Sequence, residues 1–498
     1  MPAQITTRAQ VNGYRFLLRR LEHALIRGDS RMIHDPMRGQ MRSLAVGLVI
    51  GILITGACGI LAFFKPSPAI GNAQILLTKK GGALYVRIGE RVHPVLNLSS
   101  ARLIAGKPEQ PAAVDDKKLN ALPRGPVVGI IGAPNALLPN ADSSTSHWTV
   151  CDTFDTPDVS TDTGTGKLLT TVLTNKPQLD REIHAADSRE MLLVDYEGET
   201  YLIYDGVRAK LSNDPIVIRA LHLEQAKIRP ISAGLLNSFP LVEPIEPIFV
   251  DGASEPSVIR PDLRVGSIIK TNDSRGEQLY VVLRNGVQAI STATADIIRY
   301  SDAGSVRDTK EVPPSMISTV PVVHDLPIDK YPQTTPVVSD YNHDRVVCQA
   351  WEHGNTDPAA KMRLLIGHRL PMPNEAQVVQ LATADGGGPG LDQAYLPPGT
   401  GEYIQTTGSG TDVGSLGSLY YVSDSGQRFH IKDLSTVSAL GLTGWEDKEA
   451  KINRPQAAPW SIVSLLPPGP ELSQQAALIA HDGMSADPKG LKVDPPKN

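Results

Sequence analysis

The sequence predicts a single-pass membrane protein whose exported part is mainly β, an α+β body of four small ββα-type repeats around a central β-domain with pseudo-two-fold symmetry. Three observations predict it: one charge-free apolar run behind an arginine-rich start, a fourfold recurrence of one meander pattern, and near-equal offsets between matching landmarks of two halves. The 498 residues carry 53 acidic and 48 basic side chains, are 41% hydrophobic and include three cysteines, which is enough for several domains. Gly (43) and Pro (40) both exceed average usage, favouring turns and short strands over long helices. A net charge of −5 with 5% aromatics argues against nucleic acid as a partner.

Charge is unevenly spread. Residues 1–42 hold eight arginines and no lysine against Glu22, Asp29 and Asp35, a net +5 that leaves −10 for the remainder. Ser43 to Phe64 then runs for 22 residues without a charge, long enough as a helix to cross a hydrocarbon layer of about 30 Å. A cleaved signal peptide would have a shorter core nearer the start, so a retained anchor is expected. Arg38 and Arg42 beside the run hold the N-terminus in the cytoplasm by the positive-inside bias. Gly47, Gly51, Thr55 and Gly59 recur every fourth residue, placing small side chains along one side where another helix can pack against them. Ahead of the anchor, residues 7–28 predict an amphipathic helix with Thr7 and Gln10 as a capping box and Gly28 as its stop. Its apolar stripe, Val11, Tyr14, Leu18, Leu21 and Leu25, faces either membrane lipid or another protein.

Four exported stretches repeat one pattern: strand, turn, strand with Leu-Tyr or Tyr-Leu, Gly turn, strand, short helix. They centre on Tyr85, Tyr201, Tyr280 and Tyr420, with Gly89, Asp205-Gly206, Asn285-Gly286 and Ser425-Gly426 as second turns. Asp-Gly and Asn-Gly between apolar runs predict hairpin turns that need positive φ. A meander of this size buries little alone and must pack on something larger. Tyr85 to Tyr280 is 195 positions and Cys151 to Cys348 is 197, so the unit is duplicated and two halves meet in a central domain. Cys151 and Cys348 are the two thiols beyond the membrane; an oxidising compartment favours a disulfide between them, with a Cys151 nucleophile paired to His147 as the rival. Cys58 lies in the membrane run.

The stretches QVNGYRFLLRRLEHALIRGDSRM, LYVRIGERVHPVLNLSSARLI, Gly132-Ala133-Pro134, WTVCD and APWSIVSLLPPGPELS resemble the EccB component of the type VII (ESX) secretion systems of mycobacteria, over essentially the whole chain. The resemblance implies a core subunit of a hexameric inner-membrane complex with the EccC ATPase, EccD, EccE and further copies of itself. It also implies an elongated periplasmic body with four repeats around a central domain held by a disulfide, matched here by Cys151 and Cys348. The expected division is a cytoplasmic basic helix (1–42), the transmembrane helix (43–64), and a linker with the first repeat (65–111). The second, third and fourth repeats occupy 188–225, 265–305 and 400–445. Central segments occupy 112–187, 226–264 (a linker helix), 306–399 and 446–486, and 487–498 is a disordered tail.

Some family members are labelled ATPases. A P-loop needs G-x-x-x-x-G-K-[ST] so that backbone amides cradle phosphates and the hydroxyl holds Mg²⁺. Around Gly164-Thr165-Gly166-Lys167, Thr161 replaces the first glycine and Leu168 the hydroxyl residue. Gly386-Gly387-Gly388-Pro389-Gly390 has no lysine after it. The sequence therefore predicts no cofactor, with ATP required only if the ATPase label applies. The twelve histidines show no zinc-ligand spacing, so no metal site is expected. His343-Asp344 and Glu352-His353 are explained as exposed loop polar residues, and no carboxylate pair marks a hydrolase. Binding of the meanders to cell-wall glycan through the four tyrosines is the alternative to a scaffold, although a tyrosine at that strand position is more usually buried.

Overall fold

The computed structural model describes residues 7–31, 36–63, 72–155, 167–257, 259–260, 262–274, 276–301, 309–449 and 452–483. Gly164–Gly166, the turn residue Arg275 and the tail 487–498 lie outside them, as does the Arg38 side chain. The chain divides into two compact units, Met1–Gly71 and Asn72–Asn498.

In the first unit a helix spans Arg8–Arg27, opened by a Thr7–Gln10 capping box and closed by Gly28 in the left-handed region (φ 68°). The second helix, Pro36–Phe63, starts seven residues before the charge-free run because proline is tolerated at a first helical position and the arginines that follow are good helix formers. Within it, Met41–Ile60 is the one segment among the described residues long and apolar enough to cross a membrane.

The second unit contains the four meanders and the central sheet. The first meander joins Ile75–Thr78, Leu84–Ile88 and Arg91–Pro94, then the helix Leu98–Ala105. A fourth strand, Ala112–Val114, returns parallel to the first. The same return occurs with Arg229–Pro230 in the second meander, Lys310–Glu311 in the third and Gln456–Pro459 in the fourth. Each sheet thus has the order third, second, first, fourth strand, and each extends past the stretch expected from sequence. These returning strands are two to four residues long, too short to show an alternating pattern. A further parallel segment flanks each third strand: around Arg124 and Val128, at Leu241–Ile245, at Val322, and at Pro468 and Leu472. The stretch 226–264 accordingly supplies strands to the second meander, besides the short helix Ala233–Ser238. The stretch 446–486 likewise wraps the fourth meander and ends by pairing Ala480–His481 with Val127–Val128.

The turns differ from one another. Asp205 and Gly206 both have positive φ (44° and 76°), as a type I′ hairpin requires. Asn285-Gly286 does not: there glycine is needed because a Cβ would run into the Pro321 carbonyl of the flanking segment.

At the centre, Thr145–Asp155 and Val346–Gly354 pair antiparallel, with Trp148 opposite Trp351 and Cys151 opposite Cys348. Each continues into a hairpin partner, Lys167–Leu173 and Lys361–Gly367, and seven strands form the whole sheet. One face packs Trp148 and Trp351 against the second and fourth meanders, through Leu192, Val194, Ile404 and Val422. The opposite face buries the two cysteines with Leu173, Ile183, Leu365 and Met372. The second and third meanders share a core, as do the fourth and first. Their helices pack in the same combinations, Pro215–Ala220 with Thr292–Ser301 and Leu98–Ala105 with Leu434–Leu440. A two-fold operation exchanging the halves maps one pair of meanders onto the other.

The four repeat tyrosines occupy equivalent register positions and are all half-buried. The next residue on each strand, Val86, Leu202, Val281 or Tyr421, is the fully buried one. Period-two alternation puts the tyrosine on the other face, where its ring covers a core without being enclosed.

Candidate functional site

The central strand pair gathers the most tightly determined chemistry. Cys151 and Cys348 are bonded, with Cα atoms 4.0 Å apart and both side chains fully buried. His147 is no base for Cys151: the two lie four residues apart on one strand, about 13 Å, and the sulfur is already engaged. Burial lowers the His147 pKa, and its Nδ1 lies 3.8 Å from Glu352 Oε2.

Asp152, next to the disulfide, points to the opposite face and is completely buried. Its carboxylate accepts hydrogen bonds from the Ser232 amide (2.7 Å), Ser232 Oγ (2.7 Å) and Thr170 Oγ1 (3.1 Å). Ser232 in turn N-caps the helix Ala233–Ser238, so the carboxylate ties that helix to the sheet. Burial pushes the Asp152 pKa up to about 6 against these hydrogen bonds and the charge of Arg229. Arg229, itself 1% exposed, is lowered by burial to about 10 and supported by Asp152 and Asp344. In the fourth meander, burial raises Glu402 to about 8, so it is protonated at neutral pH where Asn140 donates to it.

The glycine-rich loop is not a phosphate cradle. Asp385 accepts from the amides of Gly388 and Gly390, and Asp392 from those of Asp385, Gly386 and Thr170. The amides that would meet a phosphate are occupied by carboxylates, whose charge repels one. Lys167 is the first residue of its strand and its side chain is exposed. The loop 386–390 does not fit a nucleotide phosphate.

Among the described residues, Tyr420 is the one repeat tyrosine stacked on a second ring, with Trp460 5.6 Å away at 27°. Arg428 lies 5.2 Å from the Trp460 ring centre, and the His430 ring meets Tyr420 edge-on. Tyr420 and Trp460 line a groove of about 410 Å³ with Thr406, Thr407, Leu416 and Ser418. Trp460 gave no sequence signal of this role, because it lies outside the meander pattern.

His343-Asp344 and Glu352-His353 do not meet. They stand at opposite ends of the strand Val346–Gly354, and Glu352 pairs with Arg363 instead. The structure brings His368 to His343, their ring centres 4.8 Å apart.

In the first unit, Gly47, Gly51 and Gly59 have open space where a Cβ would stand, and Thr55 Oγ1 donates to the Gly51 carbonyl at 2.7 Å. The helix therefore satisfies its own hydroxyl and presents an unobstructed small-residue side. Val11, Tyr14, Leu18, Leu21 and Leu25 are all exposed, and Phe16, Leu17 and Ile26 add apolar surface outside the stripe. Arg42 is exposed at the start of the apolar segment.

The family profile for "Type VII secretion system ESX-1, transport TM domain B" matches residues 3–486. The ESX-1 secretion system ATPase EccB1 of Mycobacterium tuberculosis is 34% identical over 498 residues, covering 99% of this chain and 98% of its own. The ESX-3 secretion system ATPase EccB3 of Mycolicibacterium smegmatis is 33% identical, covering 98% and 93%. Among solved structures, a chain of an intact ESX-5 inner membrane complex superposes with TM-score 0.71 at 31% identity over 99% of both chains. The EccB3 dimer from the ESX-3 core complex gives 0.68 at 30% identity, covering 82% and 100%. With an anchor-like helix, a duplicated β body and this end-to-end similarity, the chain belongs to the EccB family of type VII (ESX) secretion systems.

Proposed function

We propose that this chain is a structural core subunit of an ESX inner-membrane complex, which anchors and oligomerises the periplasmic part of the export machine. Its N-terminus is cytoplasmic, held there by Arg38 and Arg42, and its duplicated body is periplasmic. The EccC ATPase, EccD, EccE and further copies of itself are the partners, with lipid around the apolar helix. The observation that carries this reading is the correspondence along the whole length, helix and body together, with a chain of an intact inner-membrane complex. No cofactor is needed for the role.

Tagged full-length chain, coexpressed with EccC, EccD and EccE and extracted in detergent, should recover all three in one large particle. Gly51→Leu fills the open side of the membrane helix and should reduce that recovery several-fold while leaving the melting of the body unchanged. Recovery of the unmutated chain alone would overturn the scaffold reading; an intact particle with Gly51→Leu would remove the small-residue side as an interface.

The relatives' names carry the word ATPase. The carboxylate-filled glycine loop disfavours that activity here, and ATP turnover by the purified chain that falls in Lys167→Ala would reverse the ranking. The paired Tyr420 and Trp460 rings favour a second binding role, because a half-buried ring stacked on an exposed one beside hydroxyls suits the apolar faces and hydroxyl edges of a cell-wall saccharide.

A further inference from the structure

We propose that His343, Asp344 and His368 form a binding site for a divalent transition-metal ion of the zinc class. The three come from two loops at one end of the central strand pair. His343 and Asp344 belong to the turn entering Val346–Gly354, while His368 follows the last residue of Lys361–Gly367, opposite Val346. A nitrogen from each histidine and a carboxylate oxygen all lie within 4.8 Å of one another.

The carboxylate is positioned. Asp344 Oδ2 accepts from Ser339 Oγ at 2.7 Å, while Oδ1 lies 3.0 Å from His343 Nδ1. The turn that carries both residues is closed by amides of His343 and Asp344 bonded to the Asp340 carbonyl, and its Tyr341 ring packs on Phe154. On the other side the His368 amide donates to Glu182 O at 2.7 Å, fixing where its ring emerges. His343 is 77% exposed, so its ring is free to turn toward an arriving ion.

Zn–N and Zn–O bonds of about 2.0–2.2 Å require tetrahedral ligands about 3.3–3.5 Å apart, so the widest-spaced donors need to close by roughly 1.4 Å at most. That movement is within rotation of the exposed His343 ring. Two imidazoles and one carboxylate select zinc, nickel or copper over magnesium or calcium, which prefer all-oxygen shells. Of the neighbouring cations, Lys227 is paired with Asp340 at 2.6 Å, and the buried Arg229 shares its charge between Asp152 and Asp344, with Asp152 the larger influence. The solvent-facing side leaves a coordination position for water. His343-Asp344 stands out in the sequence but His368 does not, because 24 positions separate it from Asp344 and only the hairpin brings them together.

Titration calorimetry on the full-length, detergent-solubilised chain, stripped with chelator, tests the site with ZnCl₂ and with MgCl₂ as control. One saturable zinc site is expected, without competition from magnesium. His343→Ala and His368→Ala should each weaken zinc by more than about 10-fold, since loss of even an outer-shell partner costs that much. Ser339→Ala should weaken it less, through the loosened Asp344. Both histidine rings are exposed, so the variants should melt like the unmutated protein in chelator; a Co²⁺-loaded form should lose its visible ligand-field bands in either variant. Absence of a saturable zinc site, or unchanged affinity in the double histidine variant, would overturn the proposal.

Discussion

Replacing Cys151 and Cys348 together with alanine is expected to lower the unfolding free energy of the β body by roughly 5 kcal/mol on the chain-entropy model, among the largest effects of any change in the molecule. The bond closes a separation of 197 residues, so without it the unfolded chain gains the freedom of a very long loop. The folded state loses less, because the two strands remain paired from Val346 opposite Thr153 to Gly354 opposite Thr145. Denaturant titration of the detergent-solubilised chain should therefore show a lower midpoint with little change in native structure. Reductant should act slowly on the folded protein, since both sulfurs are buried among Leu173, Ile183, Leu365 and Met372. Cys58→Ala, in the apolar helix, is the control and should leave the midpoint in place. Coincident curves for the parent and the double alanine variant would mean that the bridge contributes nothing to the fold.

The bridge was legible because the cysteines stand at matching places in the two halves, and duplication itself shows as repeated spacing. Local devices were legible for the same kind of reason: Thr7 with Gln10, Gly28, and Asp205-Gly206 each encode a backbone conformation within a few residues. What escaped is what depends on distant chain segments. The returning strand of each meander is too short to carry a period, and its place is fixed by the open edge it finds, as when Arg229–Pro230 lies beside Val194 and Asp195. The pairing of second with third and fourth with first meander follows from which helix faces remain uncovered. Asn285-Gly286 looks locally like Asp205-Gly206, yet its glycine serves a close approach by Pro321. Trp460 and His368 gain their neighbours only through such long-range closure, which is why the aromatic groove and the histidine cluster had no counterpart in the sequence pattern.

Asp152→Ala is expected to destabilise the body by about 3–5 kcal/mol, because it leaves the buried Arg229 charge and the Ser232 and Thr170 donors without their acceptor. A companion change separates the charge from the cavity. In Asp152→Ala/Arg229→Met the unpaired cation is gone, so part of the loss should return; equal destabilisation of single and double variants would place the cost in the cavity and broken helix cap. The same carboxyl also makes a signed pH prediction. Its folded pKa, raised by burial to about 6, lies above the unfolded value near 4, so between those values the folded state holds the proton more tightly. Stability from this group is fully present below about pH 4 and declines as pH rises toward about 6, by about 1.4 kcal/mol per unit at the steepest. Asp152→Asn cannot titrate and should lack that component, so the difference between parent and variant should change across the window and flatten above about pH 7. A parent-to-variant difference independent of pH would show that the carboxyl titrates as an ordinary one, and that the Ser232, Thr170 and Arg229 contacts offset its burial completely.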